Sequence, residues 1–219
     1  MRTLQLVVVA ATAIAAAAPA HAFDLTLDTS GFAGGHLFSD TNKLGRHHDA
    51  PDDNALKNTG VIGFRLGFII LHERLSLETE LALMPTTTPL NNSSVLVFNW
   101  RAHALVHILT GRFRPFVLVG GGGLTSSPSD PPIQPGDNHQ YQDTRGEIHG
   151  GVGLKADIRC NWGLRADARI IFQQATRGIY FTEDWEFTAG LYGVFGKPIQ
   201  ARCATPKPPT PPPPPQPTP

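Results

Sequence analysis

This 219-residue chain is poor in cysteine, in charge and in long apolar runs. Its two cysteines are too few for a disulfide-rich scaffold and lack any zinc-ligand spacing. Only 16% of residues are charged and the formal net charge is zero, so no global basic field attracts nucleic acid. After the leader, no segment offers the roughly 18 consecutive apolar residues that a spanning helix needs. That excludes a helical membrane protein but leaves a barrel open, because a strand crosses in about 9–11 tilted residues. A mean hydropathy of −0.12 suits such a chain.

The amino-terminal residues read as a cleavable export signal. Arg2 supplies a positive start, residues 4–18 are almost unbroken apolar, and Ala20, His21 and Ala22 form a small-x-small cleavage site. We expect a signal peptide over residues 1–22, a barrel over 23–200 and a proline-rich periplasmic tail over 201–219. The tail is too rich in proline to join a sheet or helix and is expected to be a disordered, extended spacer.

Between those ends the dominant pattern has a period of two. Leu164, Ala166, Ala168, Ile170 and Phe172 share one face of a run whose other face is Arg165, Asp167 and Arg169. Ile62, Phe64, Leu66 and Phe68 alternate with Arg65, and Leu75, Leu77, Leu81 and Leu83 oppose Glu78 and Glu80. Eight such segments are expected, near residues 23–38, 60–70, 75–84, 95–107, 115–124, 147–158, 162–172 and 185–195. The register of the fifth is ambiguous, because both of its faces are apolar or glycine. The connections alternate long and short throughout, with residues 39–59, 85–94, 126–146 and 176–184 as the longer ones. Outer-membrane barrels segregate loop length this way, with short periplasmic turns and long outer loops. The expected fold is therefore all-β: an eight-stranded antiparallel up-and-down transmembrane β-barrel. Its long loops lie outside the cell outer membrane, and both mature termini are periplasmic.

On this register Arg65, Arg101, Lys155, Arg165 and Arg169 point inward, as do Glu78, Glu80, Asp157, Asp167 and Glu186. An eight-stranded barrel is just wide enough for side chains to fill. Five positive and five negative groups are expected to pair as a plug, since an unpaired buried charge costs several kcal/mol. A network that exchanges partners would instead make an ion path. His103 and His107 also face inward, where lumen hydrogen bonding is the expected use. His47, His48, Asp49, Asp52 and Asp53 have ligand chemistry but no strand support, so no metal site is expected. Ser93, Ser94 and Ser126 have no histidine fixed beside them by strand spacing, so no triad, enzymatic role or cofactor is expected. The 120–123 glycine run has no following Lys-Ser or Lys-Thr and relieves crowding where strands pack closely. Cys160 precedes the seventh strand and Cys203 follows the eighth, so both emerge at one rim in an oxidising compartment. A disulfide between Cys160 and Cys203 is expected.

In order and spacing, several segments resemble the amino-terminal barrel of OmpA-type outer-membrane proteins. They are Gly31-Phe32-Ala33-Gly34-Gly35, Glu78 with Glu80, Pro115-Phe116 with the 120–123 glycines, Gly151-Val152-Gly153-Leu154-Lys155, and Gly190-Leu191-Tyr192-Gly193-Val194-Phe195. The resemblance covers residues 23–196 and places the proline tract where that family has a linker. It carries no peptidoglycan-binding role, because the residues of that domain are not in this sequence. The last strand also looks like the signal read by the barrel-insertion machinery. Thr188, Gly190 and Phe195 match it, while Gly193 stands where an aromatic is expected. The partners implied are outer-membrane lipid, the insertion machinery and a cell-envelope or surface partner, with no nucleic acid. The expected function is a small barrel with a structural or surface-interaction role and a lumen filled by paired charges. A narrow or gated pore for ions and small solutes is the first alternative, and a secreted soluble ligand-binding barrel the second.

Overall fold

A computed structural model of the chain describes residues 26–40, 42, 44–45, 56–70, 74–88, 92–129, 142–174 and 181–196. They form β1 (Thr26–Leu37), β2 (Thr59–Ile70), β3 (Leu75–Thr87), β4 (Ser94–His107), β5 (Phe113–Pro128), β6 (Asp143–Arg159), β7 (Trp162–Gln174) and β8 (Phe181–Phe195). Each strand pairs antiparallel with its sequence neighbour, and β8 closes on β1 to make an eight-stranded barrel. The expected export signal and proline tail lie outside the described residues, as do His47, His48, Asp49, Asp52, Asp53 and Cys203.

Several strands run further than the sequence pattern marks. Strand β3 continues through Pro85 to Thr87, β5 reaches Pro128, β6 begins at Asp143 and β8 at Phe181. These extensions carry prolines and hydroxyls (β3, β5) or charged residues (β6, β8) in place of the hydrophobic alternation that betrays a strand. Ladder pairing with a neighbour, such as Thr125 with Thr144 and Thr87 with Ser94, holds them extended nonetheless. The ambiguous fifth strand is resolved by its partners: Arg114, Phe116 and Leu118 are buried inside, while Val117 and Val119 face out.

The polarity is inverted relative to a soluble barrel. Outward residues such as Ile62, Leu81, Val119, Ile148 and Leu191 are each more than half exposed, at 57, 53, 67, 58 and 57%. Among the described residues, Glu183 toward the long-loop end and Arg159 at the opposite end are the outward-facing charges of the strands. Arginines 65, 101, 114, 165 and 169 are at most 2% exposed. A polar, mutually paired interior with apolar solvent outside is the environment that favours this arrangement.

Candidate functional site

Among the described residues, the lumen is where this fold concentrates its charged side chains. Each lumen side chain gets there because a strand alternates faces and the outer face is committed to apolar residues. Register then sets which groups meet. Arg65, Glu80, Arg101, Gly122 and Glu147 occupy one row across five consecutive strands. Arg65 Nε reaches Glu80 Oε2 at 2.6 Å, and Arg101 Nη1 reaches Glu80 Oε1 at 3.1 Å. Arg101 Nε also reaches Glu147 Oε1 at 2.5 Å, although a whole strand lies between them. Gly122 makes that possible. A Cβ there would stand 2.1 Å from the Trp100 carbonyl oxygen and 2.8 Å from Arg101 Cα, so the two neighbouring side chains meet over a position that has none. In the next row Gly120 likewise separates His103 from His149, whose ring centroids are 5.5 Å apart.

Other pairs cross the lumen. Lys155 and Arg165 are direct partners on β6 and β7, a like-charge juxtaposition that is unfavourable by itself. Glu78 on the far wall answers both, with Oε1 at 3.0 Å from Lys155 Nζ and Oε2 at 2.7 Å from Arg165 Nη1. Lys155 also pairs with Asp28. Asp167 holds Arg65 at 3.2 Å, Arg165 at 3.1 Å and Arg169 at 2.7 Å. Arg169 meets Glu80 at 2.8 Å, and Glu186 lies 2.7 Å from Arg101. Nine of the ten lumen charges read from the sequence are thus joined into one web. The tenth, Asp157, sits apart near the short-turn end, 2.7 Å from Arg114 and hydrogen-bonded by Tyr192. His103 touches Glu78 at 3.2 Å, and His107 packs against the Phe116 ring.

Sequence reading missed Asp28, His36, Arg114, Glu147 and Asp184, all of which face inward. Four of them stand outside the clearest hydrophobic alternation, in the glycine-rich first strand or in extensions taken for loops. Glu147 was the most legible, since it shares the parity of His149, Lys155 and Asp157.

The interior is not polar throughout: the expected lumen of paired charges fills only part of it. Toward the long loops, Val61, Ala82, Met84, Val95, Val97 and Leu124 turn inward and form an apolar cluster. Phe32 of β1 and Phe38, Leu44 and Leu56 from the first long connection complete it, with Leu44 fully buried. Polar contacts hold that connection down: Ser39 N donates to Asp184 Oδ1 at 2.7 Å and Asn42 Nδ2 to Asp184 Oδ2 at 2.9 Å. His36 sits between Glu186 at 3.0 Å and Asp184 at 3.4 Å, one carboxylate at each ring nitrogen. Because the two use opposite nitrogens, they cannot share one metal ion with this imidazole, and no metal-binding group occurs among the described residues. Among the described residues the interior is consequently packed at two levels, by a charge web and by an apolar cluster above it. Ser94 lies exposed on the outer face and Ser126 is buried inside, so these two do not converge. Cys160 is exposed in the turn between β6 and β7.

No protein-family model matches the chain, and no curated protein matches it in sequence. Solved structures match it in fold. The outer membrane protein OprG from Pseudomonas aeruginosa aligns with 10% identity over 81% of this chain and 98% of that chain, with a TM-score of 0.54. Neisserial surface protein A aligns with 11% identity over 79% of this chain and 98% of that chain, with a TM-score of 0.52. The amino-terminal β-barrel domain of Pseudomonas aeruginosa OprF aligns at 16% identity over 78% of this chain and 97% of that chain, with a TM-score of 0.48. The chain has the eight-stranded outer-membrane barrel fold expected from its OmpA-type resemblance.

Proposed function

We propose that this protein is a closed outer-membrane β-barrel with a structural or surface-interaction role and no catalytic or general-porin activity. The observation that carries the reading is the doubly packed interior. An ion entering from the long-loop end meets the apolar cap of Leu44, Leu56 and Met84, then a web in which each guanidinium already pairs with at least one carboxylate. Opening a path requires displacing both, and breaking one buried pair alone costs about 3–5 kcal/mol. The predominantly apolar exterior supports a membrane location and weighs against a secreted ligand-binding barrel, which needs the opposite polarity. Segregation of long and short connections supports loops outside and termini in the periplasm.

Planar-bilayer recording of the mature protein tests this. The expected result is no sustained conductance for wild type, while Leu44→Asp combined with Glu80→Ala produces channel events. Stable unitary conductance in the wild type would establish the pore alternative. Flotation of wild-type protein with outer-membrane vesicles tests the location independently of conductance.

A further inference from the structure

The ladder between β2 and β3 ends early. It runs from Ile70–Leu75 to Ile62–Leu83, whereas β3–β4 continues to Thr87–Ser94 and β4–β5 to Val95–Pro128. Pro85, which has no amide N–H, falls just past the last paired residues. The chains rejoin further along through other groups. Lys57 N donates to Thr87 O at 3.1 Å, Thr86 Oγ1 donates to Lys57 O at 2.6 Å, and Thr59 Oγ1 donates to Pro85 O. The parting leaves an outward-facing cavity of about 390 Å³ at the long-loop rim.

The described residues of the lining combine polar and apolar groups. Lys57, Asn58, Thr59, Thr87, Ser94 and Ser129 supply an ammonium, an amide and four hydroxyls, and none of the described residues there is acidic. Lys57 Nζ spends one donor on Asn92 Oδ1 at 3.0 Å and keeps two for a ligand. Pro85 and Leu96 give the cavity an apolar side, and Leu96 is itself 44% exposed. Just beyond it toward mid-barrel lie Ile62 and Leu83, 57 and 40% exposed, where the lipid-facing belt begins. A hydroxyl-lined, cationic cavity continuous with that belt fits a molecule that is polyhydroxylated and anionic at one end and acylated at the other.

We propose that this cavity binds the phosphorylated sugar headgroup of an outer-leaflet glycolipid, with Lys57 on the phosphate and the hydroxyls on the sugar. The acyl chains continue over Ile62, Leu83 and Leu96. This rests on the membrane reading above, because only there does such a lipid flank the long-loop rim. A free phosphate would leave the apolar side of the cavity without purpose. A simple glycerophospholipid offers at most two headgroup hydroxyls to those four that line the cavity, fewer than a sugar does.

The experiment follows thermal unfolding of the full mature protein in neutral detergent by the mobility of unboiled samples on gels. Probes are a bis-phosphorylated, acylated glucosamine disaccharide, phosphatidylglycerol and inorganic phosphate. The expected result is a rise in midpoint of about 5 °C or more with the glycolipid, the scale that mass action gives for a ligand well above its Kd. Phosphatidylglycerol and phosphate should give markedly less. Lys57→Glu with Thr87→Val should abolish the rise while keeping the heat-modifiable band and the ligand-free midpoint. Lys57→Arg should retain the rise. No rise in wild type, an equal rise in the double variant, or an equal rise with phosphatidylglycerol or phosphate would overturn the site. Membrane flotation of the same wild-type protein reports separately on the location reading, so the two failures are distinguishable.

Discussion

Replacing Arg101 by methionine tests whether the lumen web is a set of interdependent pairs. Arg101 contacts three carboxylates, but they do not depend on it equally. Glu80 keeps Arg65 at 2.6 Å and Arg169 at 2.8 Å, and Glu186 keeps His36 at 3.0 Å and Arg169 at 3.7 Å. Glu147 is left with Asn99 at 3.5 Å and His149 at 3.5 Å, and it is only 5% exposed. The cost therefore concentrates on one stranded carboxylate, and about 3–5 kcal/mol is expected for removing one partner of a buried pair. Glu147→Gln alone is milder. Arg101 retains Glu186 at 2.7 Å and Glu80 at 3.1 Å, so the loss is one charge-assisted hydrogen bond, about 1.5–3 kcal/mol. If the two effects added, the double variant would lose about 4.5–8 kcal/mol. We expect it instead to be more stable than Arg101→Met alone, because the second change removes the stranded charge. Urea unfolding in phospholipid vesicles, scored by the folded band on unboiled gels, measures all four corners of the cycle. Additivity, or an Arg101→Met variant within about 1 kcal/mol of wild type, would refute the reasoning.

Gly122→Val should abolish the folded band, since the new Cβ lies 2.1 Å from the Trp100 carbonyl oxygen and blocks the route from Arg101 to Glu147. Gly35→Ala, whose Cβ meets nothing within 4 Å, should fold normally in the same assay. On the lipid face of β7, Ala168→Arg should weaken folding into vesicles by about 2–4 kcal/mol while Ala168→Leu does not. Equal folding of the two would place that face away from lipid. Thiol titration of the denatured, unreduced mature protein should find no free thiol if Cys160 and Cys203 are bonded, and two thiols per chain would rule the bond out.

The sequence by itself determined the class of fold, the number of strands and which face of most strands points outward. The reason is that side-chain alternation is a local property: Arg165, Asp167 and Arg169 must share a face wherever β7 is placed. Inward direction for the charged residues of β2, β3, β4 and β7 followed from the same parity. Pairing did not. Glu78 neutralises Lys155 and Arg165 from across the lumen, 77 and 87 residues away, and only barrel closure and strand stagger bring that wall into reach. The Arg101–Glu147 contact needed a second tertiary fact, that Gly122 lies between them in register. The apolar cap was equally hidden. Leu44 and Leu56 stand in a polar connection with no periodicity, and they become core residues only because the inward faces of β2, β3, β4 and β5 turn apolar at that height. Local alternation decides inside from outside; register and closure decide which groups meet there.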